Sequence, residues 1–131
     1  MSRGDVKKRI DAIEESYEFF LAYAAQGVAS DQASKSGGQL REFLGKIDQA
    51  LDGLAQAFRT LVVAEALEPR DRWDAVIAVL ADDALKTQAA VKLVMAQPGV
   101  SSQLIDNLNA SIHVRALLTD LFLLDELLGP G

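Results

Sequence analysis

The sequence predicts an all-α chain, folded as a single-domain antiparallel four-helix bundle with up-down-up-down topology over residues 1–131. Three observations carry that expectation. Apolar residues recur at steps of four and three through most of the chain, the spacing of one helix face. The strict alternation of a half-buried strand is missing. The three prolines, Pro69, Pro98 and Pro130, fall at the ends of the periodic stretches, where helix breakers belong. A chain of 131 residues, 50% hydrophobic and 24% charged, is long enough for one real core and has a globular balance of residue types.

The first helix is expected over about residues 4–26. Ser2 is placed to cap it, with Asp5 three residues on. Val6, Ile10, Ile13, Tyr17, Phe20 and Ala24 form its stripe, widened near the end by Phe19, Leu21 and Tyr23, while Asp11, Glu14, Glu15 and Glu18 take the solvated side. Gly27 ends it. The following stretch, about 27–37, is small, polar and aperiodic, which reads as a mobile linker loop.

The second helix is expected over about 38–66, with Ser36 and Gln39 in capping-box spacing. Leu40, Leu44, Ile47, Leu51, Leu54, Phe58 and Leu61 repeat in heptads beside the mostly small flank of Phe43, Ala50, Ala57 and Ala64. Gly45 and Gly53 each cost about 1 kcal/mol relative to alanine, so packing must compensate if the helix is continuous.

Pro69 suits the first position of a third helix over about 69–96. Trp73, Ile77, Leu80, Ala84, Val91 and Val94 form its seam, with Thr87 the polar exception. Asp82-Asp83 is the one place where it could break and restart, and Pro98-Gly99 stops it.

The fourth helix, about 101–128, has Ser101 as cap and Val100 and Ile105 in staple positions. Leu104, Leu108 and Ile112 share one side, with Asp106, Asn109 and His113 opposite. Beyond this the apolar residues spread around the circumference. Ala110, Val114, Leu117, Leu121, Leu124 and Leu128 make a second stripe, and Leu118, Phe122 and Leu123 keep other sides apolar. A helix apolar on several faces must be covered on several faces. The surplus points to a non-enzymatic interaction or accessory protein. A homodimer is the commonest such assembly, and its contact is expected from Val114, Leu117, Leu121, Leu124 and Leu128 with Phe19 and Tyr23 from the first helix. In that case Leu121→Asp with Leu124→Asp leaves a folded monomer, whereas global unfolding means the stripe is intramolecular core.

Composition removes other classes. A net charge of −6 disfavours nucleic acid, whose phosphates need clustered cations, and Lys7-Lys8-Arg9 is embedded among acidic residues. The chain has no cysteine, hence neither disulfide nor thiolate chemistry. The N-terminus carries charge where a signal peptide has its apolar core, Ser2 excludes myristoylation, and the apolar run 117–128 is too short to span a bilayer; the expected location is cytoplasmic, away from the membrane.

The polar residues worth weighing are His113 and Arg115. His113, the only histidine, invites a phosphotransfer-like carrier as the alternative function, with Asp106, Asn109 and Asp120 on its side of the helix. Its flanks, Val114-Arg115-Ala116-Leu117, carry Arg at the second position and no lysine, where a lysine usually follows a phosphotransfer histidine. Arg115 aligns with the early core face of its helix. It is expected either to be buried against a carboxylate, with Glu65 the candidate, or to face water if the helix rolls midway. No metal site or cofactor is expected: one histidine cannot build a di-iron carboxylate site, and no acidic loop has calcium spacing. No nucleophile elbow or phosphate loop occurs, so no catalytic residue is expected. A third reading is a bundle binding a small apolar ligand between its helices, oriented by Tyr17, Tyr23, Trp73 or Arg115.

Overall fold

The computed structural model describes residues 2–130, with side chains from Arg3 onward, so the cap expected of Ser2 lies outside the described side chains. Among the described residues the chain is helical, without strands: α1 (Ser2–Ala25), α2 (Gly37–Leu51), α3 (Leu54–Ala64), α4 (Arg70–Met95), α5 (Ser102–Ala110) and α6 (Ile112–Leu128), with one 3₁₀ turn at Asp31–Ala33. Six helices replace the four expected, because the second and fourth stretches each divide.

The first division is at Asp52-Gly53. Gly53 adopts the left-handed conformation, φ +76°, which an L side chain resists, so the penalty of a glycine inside a helix is relieved by breaking the helix there. Arg9 of α1 closes the break by donating to the carbonyls of Ala50 (3.1 Å) and Asp52, groups that a helix end leaves open. Gly45, by contrast, stays within α2. The second division is at Ser111, whose extended backbone (ψ 146°) ends α5 while its hydroxyl accepts from the Val114 N–H and caps α6. The Asp82-Asp83 pair causes no break: α4 runs uninterrupted for 26 residues. Pro69 precedes the first turn of α4 instead of occupying it. Ser101 caps α5 by accepting from the Leu104 N–H at 3.0 Å, but Ser36 makes no capping bond and donates instead to Gln26 Oε1.

Helix α1 packs on α2, α3 and α5, and α4 packs on α2, α3 and α6. Polar ties fix the ends. The Arg3 guanidinium at the start of α1 reaches Glu65 after α3 (Nε–Oε2 2.9 Å) and the Leu128 carbonyl at the end of α6 (3.1 Å). At the other end of α1 the buried Tyr23 hydroxyl donates to the Val100 carbonyl at 2.7 Å. The core joins Ile10, Ile13, Phe20, Leu44, Phe58, Leu61, Ile77 and Leu80 to α5 and α6.

That core includes the stripe expected to bind another subunit. Leu117, Leu121, Leu124 and Tyr23 are 0% exposed and Val114 is 4% exposed, all inside this chain's own core. Leu128 is half-buried against the same core, and Phe19 stacks on Phe43 with ring centroids 4.5 Å apart. The expected interface is therefore corrected. The break at Ser111 turns α6 so that this stripe points inward, and other residues take the outside.

Residues 27–37 are likewise not an unattached loop. Asp31 Oδ1 accepts from the Val100 N–H (2.7 Å) and Oδ2 from Arg41 Nε (2.9 Å), and Arg41 also donates to the carbonyls of Met95 (2.8 Å) and Gln97 (2.9 Å) at the end of α4. Ser102 Oγ accepts from the Val28 N–H (3.0 Å) and donates to the Tyr23 carbonyl (2.6 Å). The start of α2 presses so closely on this segment that a Cβ on Gly37 would lie 1.8 Å from the Asp31 carbonyl oxygen; only glycine fits.

Candidate functional site on the outer face of α4 and α6

Helices α4 and α6 lie side by side, and what they hide follows from their register. Helix α6 directs Val114, Leu117, Leu118, Leu121 and Leu124 inward, so Ile112, Phe122, Leu123 and Leu127 point out, at 75, 58, 51 and 58% exposure. On α4, Ile77, Leu80, Ala84 and Val91 go inward and Val79 is 53% exposed. The two helices leave a groove of about 400 Å³ between them, lined by Trp73, Val76, Leu124 and Leu127 with Glu68, Pro69 and Arg72 at its mouth.

One turn along from Val79 and from Leu123, the same face carries a pair of carboxyl groups, Asp83 of α4 beside Asp120 of α6. Neither makes a direct ion pair among the described residues; Lys86, the next cation along α4, is held by Asp82 at 3.0 Å, and its charge also acts on Asp83. Asp120 Oδ2 is shielded from solvent and meets no N–H or hydroxyl donor among the described residues; the neighbouring Asp83 carboxyl bonds to Asp120 when the pair holds a proton. Burial first, then hydrogen bonding to Asp83 and the charge of Asp83, push the Asp120 carboxyl up to about 7. Near neutral pH the pair therefore shares one proton a large part of the time.

The polar residues singled out by the sequence are not brought together. His113 is exposed on α6, and its backbone carbonyl accepts from the buried Thr87 hydroxyl at 3.1 Å. Asn109, expected on the same side, is buried and its amide donates to the Tyr17 carbonyl (3.3 Å), because α5 and α6 are set at different rotations by the Ser111 break. Arg115 faces water, the roll having occurred, and Glu65 is taken by Arg3. Of the four residues named as ligand anchors, only Trp73 lines the groove.

Sequence reasoning missed Val79, Asp83 and Asp120 as a group. The signals were visible singly: one carboxylate interrupting the apolar run 117–128 and one inside the supposed break at Asp82-Asp83. What joins them is the pairing of α4 with α6, which no single-helix pattern reports.

Among the described residues no three His, Asp or Glu side chains gather as a metal-holding group, and no described helix is long and apolar enough to cross a membrane. Comparison with protein-family models, with curated proteins and with solved structures gave no match to this chain.

Proposed function

We propose that the protein is a non-enzymatic interaction or accessory protein, and that it docks another polypeptide on the outer face of α4 and α6. The observation that carries this reading is the groove at Trp73, Val76, Leu124 and Leu127, continuous along the helices with the exposed Val79 and Leu123. Two packed helices with an apolar furrow between them accept a third helix by the same ridge-and-groove fit that packs the core. In this reading the broken pairs α2–α3 and α5–α6 act as two bent rods, giving a bent form of the antiparallel four-helix bundle. Self-association, if it occurs, uses this face and not the buried Leu117–Leu124 stripe.

The experiment is capture of the tagged chain from its native cell at endogenous level, with the solution mass of the pure protein, for wild type and for Val79→Asp/Leu123→Asp. Both substituted positions are exposed, so the variant keeps its helicity and melting temperature. Wild type is expected to hold a stoichiometric partner, or to double its mass, and the variant to lose it. A variant that keeps the same partner contradicts the proposal, as does a wild-type monomer with none.

The size of the groove, within the ~300–1,000 Å³ range of small-molecule sites, supports a second reading in which a small apolar ligand lies against Trp73. Native mass spectra with a copurified ligand, absent in Trp73→Ala, would favour it over a protein partner.

A further inference from the structure

The side of α4 turned directly away from the core is apolar where a solvated face belongs. On α1 that side carries Asp11, Glu15 and Glu18, all exposed. On α4 it carries Ala75, Ala78, Leu85, Ala89, Leu93 and Ala96, all exposed, with Leu85 at 67% and Leu93 at 66%. Steps of three and four keep these residues on one side for most of the helix. The only charges in the middle of the stripe are Asp82 and Lys86, one turn apart and paired at 3.0 Å. Val79, exposed on the side nearer α6, joins the stripe to the docking face described above.

Resting on the docking reading above, we infer that the occupant of this face is a second copy of the chain, laid antiparallel along α4 about a two-fold axis level with Ala84. The stripe is complementary to itself in that register. Positions equally far from Ala84 on opposite sides stand level, so Asp82 faces the partner's Lys86 and Leu93 faces the partner's Ala75, each contact made twice. Ala89 comes level with the partner's Val79, and Asp74 nears the level of the partner's Lys92. Opposite charges therefore meet, and each bulky side chain falls on a small one, which lets the two helices approach closely. In a parallel two-fold pair every residue would face its own copy, Asp82 on Asp82 and Leu93 on Leu93, which charge and shape both disfavour. From Ala75 to Ala96 the stripe runs about 32 Å and is about 10 Å wide, roughly 320 Å². A standard interface takes about 800 Å² from each copy, so even with Val79 and Leu123 at its edge this is a reversible, concentration-dependent dimer.

The chain has no cysteine, so single cysteines report the register directly. Full-length Ala75→Cys and Leu93→Cys chains are oxidised separately and as a mixture, beside light scattering of the wild type over a range of concentrations. Both positions are exposed, so both variants keep the wild-type helicity. In the antiparallel pair two copies of position 75 stand about 27 Å apart along the axis, as do two copies of position 93, too far for a disulfide. The mixture is expected to give cross-linked dimer and each chain alone almost none. The wild type should rise from 14.1 kDa towards twice that mass at micromolar concentration, and Leu93→Asp should weaken the dimer about ten-fold or more. Cross-linking of either chain alone as fast as in the mixture, or a dimer that Leu93→Asp leaves unchanged, overturns the inference. So does a wild type that stays at 14.1 kDa up to millimolar concentration. The docking reading is judged separately by the capture experiment: a monomer whose partner is lost in Val79→Asp/Leu123→Asp removes the second copy alone, and a monomer with no partner removes both.

Discussion

Asp31 and Asp120 are both carboxylates drawn in from solvent where segments meet, and the chain treats them in opposite ways. Asp31 is met on both oxygens, by Arg41 and by the Val100 N–H, and the hydrogen bond from Arg41 is the main reason its pKa is held below the ordinary carboxylate range. Asp120 is met only by another carboxyl, and burial raises its pKa to about 7. The first arrangement explains itself as structure: it binds the 27–37 segment to the end of α4 and to the lead-in of α5. The second has no such intramolecular account, and it sits where apolar side chains also lack cover. A carboxyl that the fold pairs with donors explains itself as structure, whereas one set against another carboxyl on the α4–α6 face is held only by the proton the two can share.

The comparison can be broken by substitution, beginning with the largest effect. Leu121 is fully buried, so Leu121→Asp should unfold the chain or cost more than about 4 kcal/mol in urea denaturation, since it places an unpaired charge in the core. A folded, monomeric Leu121→Asp protein would restore the buried stripe as an interface. Asp31→Ala strands the Arg41 guanidinium and the Val100 N–H, and should cost about 2–4 kcal/mol with faster amide exchange confined to residues 27–37 and 96–102. Loss below about 1 kcal/mol would mean that the ties at Asp31 are incidental.

The pH dependences of the two sites run in opposite directions. Asp31 has a folded pKa below its unfolded value. Its contribution is fully present above the unfolded value, near 4, and is lost as pH falls through the folded one. Asp120 has a folded pKa above its unfolded value, so the folded state binds the extra proton and stability declines as pH rises from about 4 to about 7. Asp120→Asn should therefore stabilise the protein at pH 8 by about 1–2 kcal/mol, a figure discounted for the solvent that still reaches the residue, and change little at pH 4. Paired melts at the two pH values check this, and equal effects at both would show that the carboxyl is not perturbed. The smallest effect is expected of His113→Gln, within about 0.5 kcal/mol, because the side chain is exposed and its carbonyl bond to Thr87 does not depend on the ring. Phosphorylation by a cell extract that this substitution abolishes would instead favour the phosphocarrier reading.

Helix content was legible in the sequence because each helix announces itself by period: the stripes through Val6 and Phe20, Leu40 and Leu61, Ile77 and Val94 all face the core. The two breaks were not. Gly53 looked like a propensity cost to be absorbed and Ser111 like an ordinary polar position, since whether a glycine bends a helix depends on whether another element, here Arg9, stands ready to take the freed carbonyls. The rotation at Ser111, which the sequence left open as the alternative that puts Arg115 in water, explains the misplaced interface. One helix apolar all round does not say which side its neighbours will claim, and α4 and α5 claimed the Leu117–Leu124 side. The ordered 27–37 segment was hidden for a similar reason. Its small polar residues lack period, and what fixes them, Arg41, Val100 and Ser102, is 10 to about 70 residues away in the chain.

The most direct measurement is a carbon-13 NMR titration of the aspartate side-chain carboxyls in the free protein. The account predicts that Asp120 titrates with a midpoint near 7 while Asp31 titrates below the ordinary carboxylate range. A midpoint for Asp120 in the ordinary range near 4 would contradict it. The carboxyl would then be solvated like any surface group, and the contrast with Asp31 would be lost.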